Sequence, residues 1–120
     1  MTNKWVAVTS YVLNAGYKNT ATFDGVTIAM QGYLECSTAD GGKLIVYGLH
    51  PSSPVPAAPS YNPAVDVGAI FVPFADLPTY IDLVRNEKPV YAHLNSEFPD
   101  WMCLATSPEP VGEAEARRQL

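Results

Sequence analysis

The apolar and polar positions of the first fifty residues follow a two-residue rhythm broken by turn signals. Trp5-Val6-Ala7-Val8-Thr9-Ser10-Tyr11-Val12-Leu13 is dense in β-branched and aromatic residues and predicts a strand ending at Asn14-Ala15-Gly16. Asp24-Gly25 separates Thr20–Phe23 from Val26–Met30, and Asp40-Gly41-Gly42 separates Tyr33–Ser37 from Lys43–Tyr47. Asx-Gly between apolar runs signals a hairpin, because the turn residues must tolerate positive φ. Gly32 interrupts what would otherwise be one long strand and predicts a bulge or bend. Together these signals predict an antiparallel meander.

From 50 to 66 the rhythm stops. Pro51, Pro54, Pro56, Pro59 and Pro63 remove backbone donors and favour extended chain, so this segment is expected to be a loop with neither helix nor central strand. A loop of that length serves as a surface crossover or as a functional arm. The all-apolar run Val67-Gly68-Ala69-Ile70-Phe71-Val72 predicts a central strand. One amphipathic helix is expected at about 76–87. Asp76 is its N-cap, Leu77, Tyr80, Ile81 and Val84 form its apolar stripe, and Asn86, Lys88 and Pro89 stop it. Val90–Leu94 and Trp101–Thr106 predict a final hairpin. The fold class read from these elements is α+β: a mainly antiparallel sheet, meander or open barrel-like, with one covering helix. Residues 1–106 are read as one domain with the Pro-rich loop at 50–66, and 107–120 as a C-terminal tail, either a frayed helix or flexible.

The 120 residues are 48% hydrophobic and 16% charged, a balance that supports a packed core. The net charge of −5 argues against nucleic acid or an anionic membrane as partner, since both select clustered Lys and Arg. No apolar run reaches the roughly 20 residues of a membrane span, and no secretory signal is visible. Cys36 and Cys103 are too few for a disulfide framework and are expected as reduced thiols in the cytoplasm. Most of the negative charge falls between Asp76 and Glu115, an asymmetry that can steer a basic partner.

Phosphate loops, nucleophile elbows and metal-ligand spacings are absent from the sequence, so neither a metal nor a cofactor is expected. The final hairpin carries the one arrangement with chemical content. A register in which paired residue numbers sum to 196 buries Val90, Ala92, Leu94, Met102 and Leu104 on one face. The other face then holds Tyr91, His93, Asn95, Trp101 and Cys103, with His93 opposite Cys103. Cross-strand mates lie about 4.5–5.5 Å apart at Cβ, within reach for an imidazole to activate a thiol. Cys103 as nucleophile, His93 as base and Asn95 as orienter are therefore the catalytic candidates, with packing beneath a loop as the alternative. The connecting loop sets Glu97 and Asp100 beside Phe98 and Trp101, an acidic and aromatic combination suited to a contact patch.

Two functions follow. One is a non-catalytic protein-binding or inhibitor-like module that binds through Tyr91, His93, Trp101, Glu97, Phe98 and Asp100, with self-association into a dimer also expected because sheet edges need covering. The other is a small-molecule site or thiol enzyme lying between the sheet and the Pro-rich loop, lined by Tyr91, His93, Trp101 and Cys103.

Overall fold

The computed structural model describes residues 1–106, the side chain of Tyr17 excepted; the expected tail at 107–120 lies outside the described residues. The chain forms β1 (Asn3–Phe23), β2 (Val26–Thr38), β3 (Lys43–Leu49), β4 (Ser60–Asn62), β5 (Val67–Pro73), α1 (Leu77–Asn86), β6 (Val90–Asn95) and β7 (Cys103–Thr106). All seven strands belong to one open sheet in the order β4-β5-β3-β2-β1-β6-β7. The architecture is α+β and mostly antiparallel.

The meander holds through β3 and then gives way. The Pro-rich segment passes outside the sheet, β4 pairs antiparallel with β5, and β5 returns parallel to β3. That segment was expected as a loop with neither helix nor central strand, and within it Ser60–Asn62, lying between prolines, forms a three-residue strand at the sheet margin, where missing donors cost least. β5 is accordingly one position from the margin.

The first strand also departs from expectation. It runs unbroken for 21 residues through Asn14–Gly16 instead of turning there. A reversal is already supplied by Asp24 (φ 50) and Gly25 (φ 79). Gly16 (φ 85) instead bends the strand, and the β1–β2 register shifts between Ala15 and Asn19. The bulge anticipated at Gly32 is present: between Met30 and Gly32 two residues of β2 oppose one step of β3.

This bulge changes which face the side chains take. On one face Leu34, Cys36, Leu44, Val46, Ile70, Ala92, Leu94 and Met102 form a core covered by Leu77, Tyr80, Ile81 and Val84 of α1. Beyond the bulge Ile28 and Met30 join Leu49 on the other face, with Phe23, Tyr33, Tyr47 and Phe71. Phe23 stacks edge-on against Phe71 at 4.9 Å, although β2 and β3 separate β1 from β5 in the sheet. The bent β1–β2 ribbon must therefore fold back across the sheet. Helix α1 occupies its expected place, but Asp76 does not cap it. Asp76 has helical φ and ψ and no side-chain cap bond, because a 3₁₀ turn over Phe74–Asp76 already leads into the helix.

Candidate functional site

The β6–β7 hairpin pairs Val90 with Thr106, Tyr91 with Ala105, Ala92 with Leu104 and His93 with Cys103. Asn95 and Trp101 do not face each other in the ladder. Trp101 belongs to a 3₁₀ turn over Pro99–Trp101, and β7 starts two residues later. The turn forms because the fully buried Asn95 folds its side chain back. Its Oδ1 accepts the N–H groups of Glu97 and Phe98 at 3.0 and 2.8 Å, an Asx arrangement that sets the loop's entry. Ser96 ties the loop to the first residues of the chain, donating its N–H to Thr2 O and accepting the Thr2 N–H at Oγ, both at 2.8 Å.

His93 is buried at the centre of this region. Its Nδ1 lies 3.0 Å from Trp101 O, and since a carbonyl only accepts, Nδ1 carries the hydrogen and donates. With the hydrogen on Nδ1, Nε2 accepts, and the Asn3 side-chain amide lies 2.9 Å from it with its NH2 as the matching donor. Both nitrogens are thus engaged by groups other than the Cys103 thiol. Burial pushes the Cys103 thiol up from its ordinary value, opposite to what a thiolate nucleophile requires. The cross-strand pair is present, with the imidazole nitrogens directed to Trp101 and Asn3. Asn95, the expected orienter, spends its acceptor on the loop.

The surface above His93 is aromatic. The Trp5 indole lies flat on the imidazole, with centroids 4.1 Å apart and planes 9° from parallel. In the loop whose Trp101 carbonyl bonds His93, Phe98 stacks on Trp101 at 4.4 Å and 22°. These three large side chains remain 55% (Trp5), 46% (Phe98) and 57% (Trp101) exposed. Glu97 and Asp100 are exposed on the same loop, and Tyr91 lies half-buried farther along β6. Of the residues anticipated from sequence, the fold gathers His93, Asn95, Phe98, Trp101 and Cys103 closely, with the two acids on the loop.

Asn3 and Trp5 both touch His93 and were not anticipated. They arrive through the β1–β6 ladder, which pairs Trp5 with His93 across most of the chain. Strand parity in β1 was visible, but nothing local specifies which distant strand lies beside it.

The Pro-rich loop covers a different place. A cavity of about 330 Å³ lies between that loop, the β2 bulge and the start of the 3₁₀ turn, lined by Leu49, His50, Val55, Phe71 and Phe74 among others. Tyr91, His93, Trp101 and Cys103 do not line it, so the anticipated small-molecule site between sheet and Pro-rich loop is not assembled from those residues. The reason is topological: the loop crosses at the β3–β5 end of the sheet, whereas β6 and β7 lie at the opposite end.

Among the described residues no group of three His, Cys, Asp or Glu side chains is placed to hold a metal, and no helix is long and apolar enough to cross a membrane. Comparison of the chain with family models, with curated proteins and with solved structures gives no match.

Proposed function

We propose that this chain is a non-catalytic protein-binding module whose contact surface is built from Trp5, Phe98 and Trp101 over His93. The observation that carries the reading is the support beneath those rings. Exposed aromatics on a mobile loop would lose entropy on binding. Here the Trp101 carbonyl is held by His93, the loop entry by Asn95, and the Trp5 ring by its stack on the imidazole. Large, rigid, half-exposed aromatic groups are the residues that dominate binding hot spots. Glu97 and Asp100 beside them suit a partner surface carrying Arg or Lys. A guanidinium laid on a Trp face gains about 0.5–2 kcal/mol, and a neighbouring carboxylate adds to it.

The reading carries with it a cytoplasmic home, which two free thiols and the absence of a disulfide framework support. The test is site-specific photo-cross-linking in the cell of origin. A benzophenone amino acid at position 98 is expected to give a discrete heavier adduct that fades at high salt and is lost in Trp5→Ala/Trp101→Ala protein. The same group at exposed Val65 is the control. Equal adducts from both positions, or none from 98, would overturn the proposal.

A further inference from the structure

The margin of β1 beyond Ala7 carries a second inference, on a different surface from the aromatic one and independent of it. β6 pairs with β1 only from Asn3 to Ala7, and among the described residues no strand lies on that side of β1 farther along. At the other end β1 bends out of line between Ala15 and Asn19. Thr9–Ala15 is therefore a stretch of sheet edge between β6 and the bend, with the end of α1 and its connection to β6 (Val84–Pro89) facing Thr9–Tyr11 across an open cleft. Half of its N–H and C=O groups face away from β2, which is a template for one more strand.

The edge is apolar on the helix-bearing face, and on the opposite face Val12 lies between the uncharged Ser10 and Asn14. Tyr11 and Leu13 pair with Cys36 and Leu34 and stand on the helix-bearing face, while Val12 pairs with Glu35 on the opposite one. They are 40%, 41% and 54% exposed. Natural sheets guard such margins with charge or proline, yet the chain has neither from Trp5 to Tyr17.

We propose that this edge joins two copies of the chain, β1 pairing antiparallel with β1 of the second copy about a two-fold axis at Val12. Two observations select a second copy over another strand. A two-fold axis sets each residue against a mate the same distance from the axis, so like charges would meet; this segment has no charge to repel its mate and none to recognise a charged partner. The window is also its own complement. In the antiparallel dimer the partner's β6 falls where β1 would continue past Gly16, and the bend vacates that lane. The chain's own segment 107–120 suits the edge poorly, since Pro108 and Pro110 lack donors and Glu109, Glu113, Glu115, Arg117 and Arg118 are charged.

The experiment combines sedimentation equilibrium with charge swapping. The wild-type chain is expected to sediment at twice 13.0 kDa at micromolar concentration. Val12→Lys and Val12→Glu alone are expected to sediment as monomers with at least tenfold weaker association, and a mixture of the two to recover the dimer. Far-UV circular dichroism checks that both remain folded. Should either unfold, Val12→Cys in a Cys103→Ser background decides. Antiparallel mates lie about 4.5–5.5 Å apart at Cα, within disulfide reach, so mild oxidation is expected to link two chains through residue 12 and not through Val65→Cys. A monomeric wild type, a dimer indifferent to Val12→Lys, or failure of Val12→Cys to link would overturn the proposal. So would a monomer whose Thr9–Ala15 amides lose exchange protection when 107–120 is deleted, which would assign the edge to the chain's own tail.

Discussion

Trp5 covers His93 across the β1–β6 ladder, ring on ring at 4.1 Å, and the imidazole beneath it joins two further segments through Asn3 and the Trp101 carbonyl. One half-exposed indole therefore shields hydrogen bonds that fix both the N-terminal strand and the aromatic loop. Aromatic stacking adds about 0.5–1.5 kcal/mol beyond area burial. Trp5→Ala is expected to lower stability by about 1–2 kcal/mol on that basis, measured by urea unfolding. Trp5→Phe is expected to recover most of the loss, and equal losses in the two variants would show that the stack contributes nothing.

The two thiols are expected to separate cleanly in reactivity. Cys36 is fully buried in the core, and burial, aided by Glu35, pushes its pKa up to about 12. Cys103 is half-buried, with its thiol raised by the same cause. Near neutral pH a disulfide reagent is expected to modify Cys103 more slowly than a free thiol and to leave Cys36 untouched until the chain unfolds. A Cys103 faster than a free thiol would revive its pairing with His93 as nucleophile and base.

Asn95 holds the loop by two backbone N–H groups, while its own buried Nδ2 has no hydrogen-bond partner among the described residues. Asn95→Ala removes the acceptor of the part-buried Glu97 and Phe98 amides, and the two lost hydrogen bonds, at about 0.5–1.5 kcal/mol each, together contribute about 1–3 kcal/mol. The expected result is a destabilisation in that range, with the Glu97 and Phe98 amides losing hydrogen-exchange protection first. Unaltered protection of those two amides would show that the loop holds itself.

Gly48 and Gly32 pair across β3 and β2 and leave a notch that the Phe74 ring fills. A Cβ at Gly48 would stand 2.9 Å from Phe74 Cδ1 and 3.3 Å from Leu77 Cδ2. Overpacking of that kind costs about 1–3 kcal/mol, so Gly48→Ala is expected to lower the urea midpoint correspondingly. Gly48→Ala/Phe74→Leu is expected to regain part of it. A neutral Gly48→Ala would mean that the 3₁₀ turn shifts freely.

Lys4 lies 2.7 Å from Asp40 and 2.6 Å from Asp66, joining β1 to the β2–β3 turn and to the segment before β5. The Lys4 ammonium and the Thr38 hydroxyl hold the Asp40 carboxyl at about 2, below its ordinary 3.8. A carboxyl with a lowered native pKa binds its proton first in the unfolded chain. Its contribution is therefore complete above the ordinary value and lost as pH falls from there toward 2. Urea midpoints are expected to fall over that window, and to fall less steeply in Asp40→Asn. The effect is small, because Lys4 and Asp40 side chains are 30% and 41% exposed and water screens the pair. Identical acid profiles in the two proteins would locate the acid sensitivity elsewhere.

Sequence alone determined the features that depend on neighbours in the chain. The stripe Leu77–Tyr80–Ile81–Val84 specified a helix and its buried face, because residues three and four apart share a face whatever surrounds them. The Asp24-Gly25 turn was legible from the φ angles it demands. The β6–β7 register, with His93 opposite Cys103, followed from the alternation that buries Ala92 and Leu94 together. Tertiary structure decided what depends on distant partners. Gly16 could signal a turn or a bend, and only the continuous ladder to β2 made it a bend. Ser60–Asn62 became a strand because β5 offered a margin beside it. Asn3 and Trp5 came to touch His93, and His93 turned its nitrogens from Cys103, because β1 came to lie beside β6. Strand parity fixes a side chain's face locally, but which strand lies alongside is set by burial summed over the whole sheet.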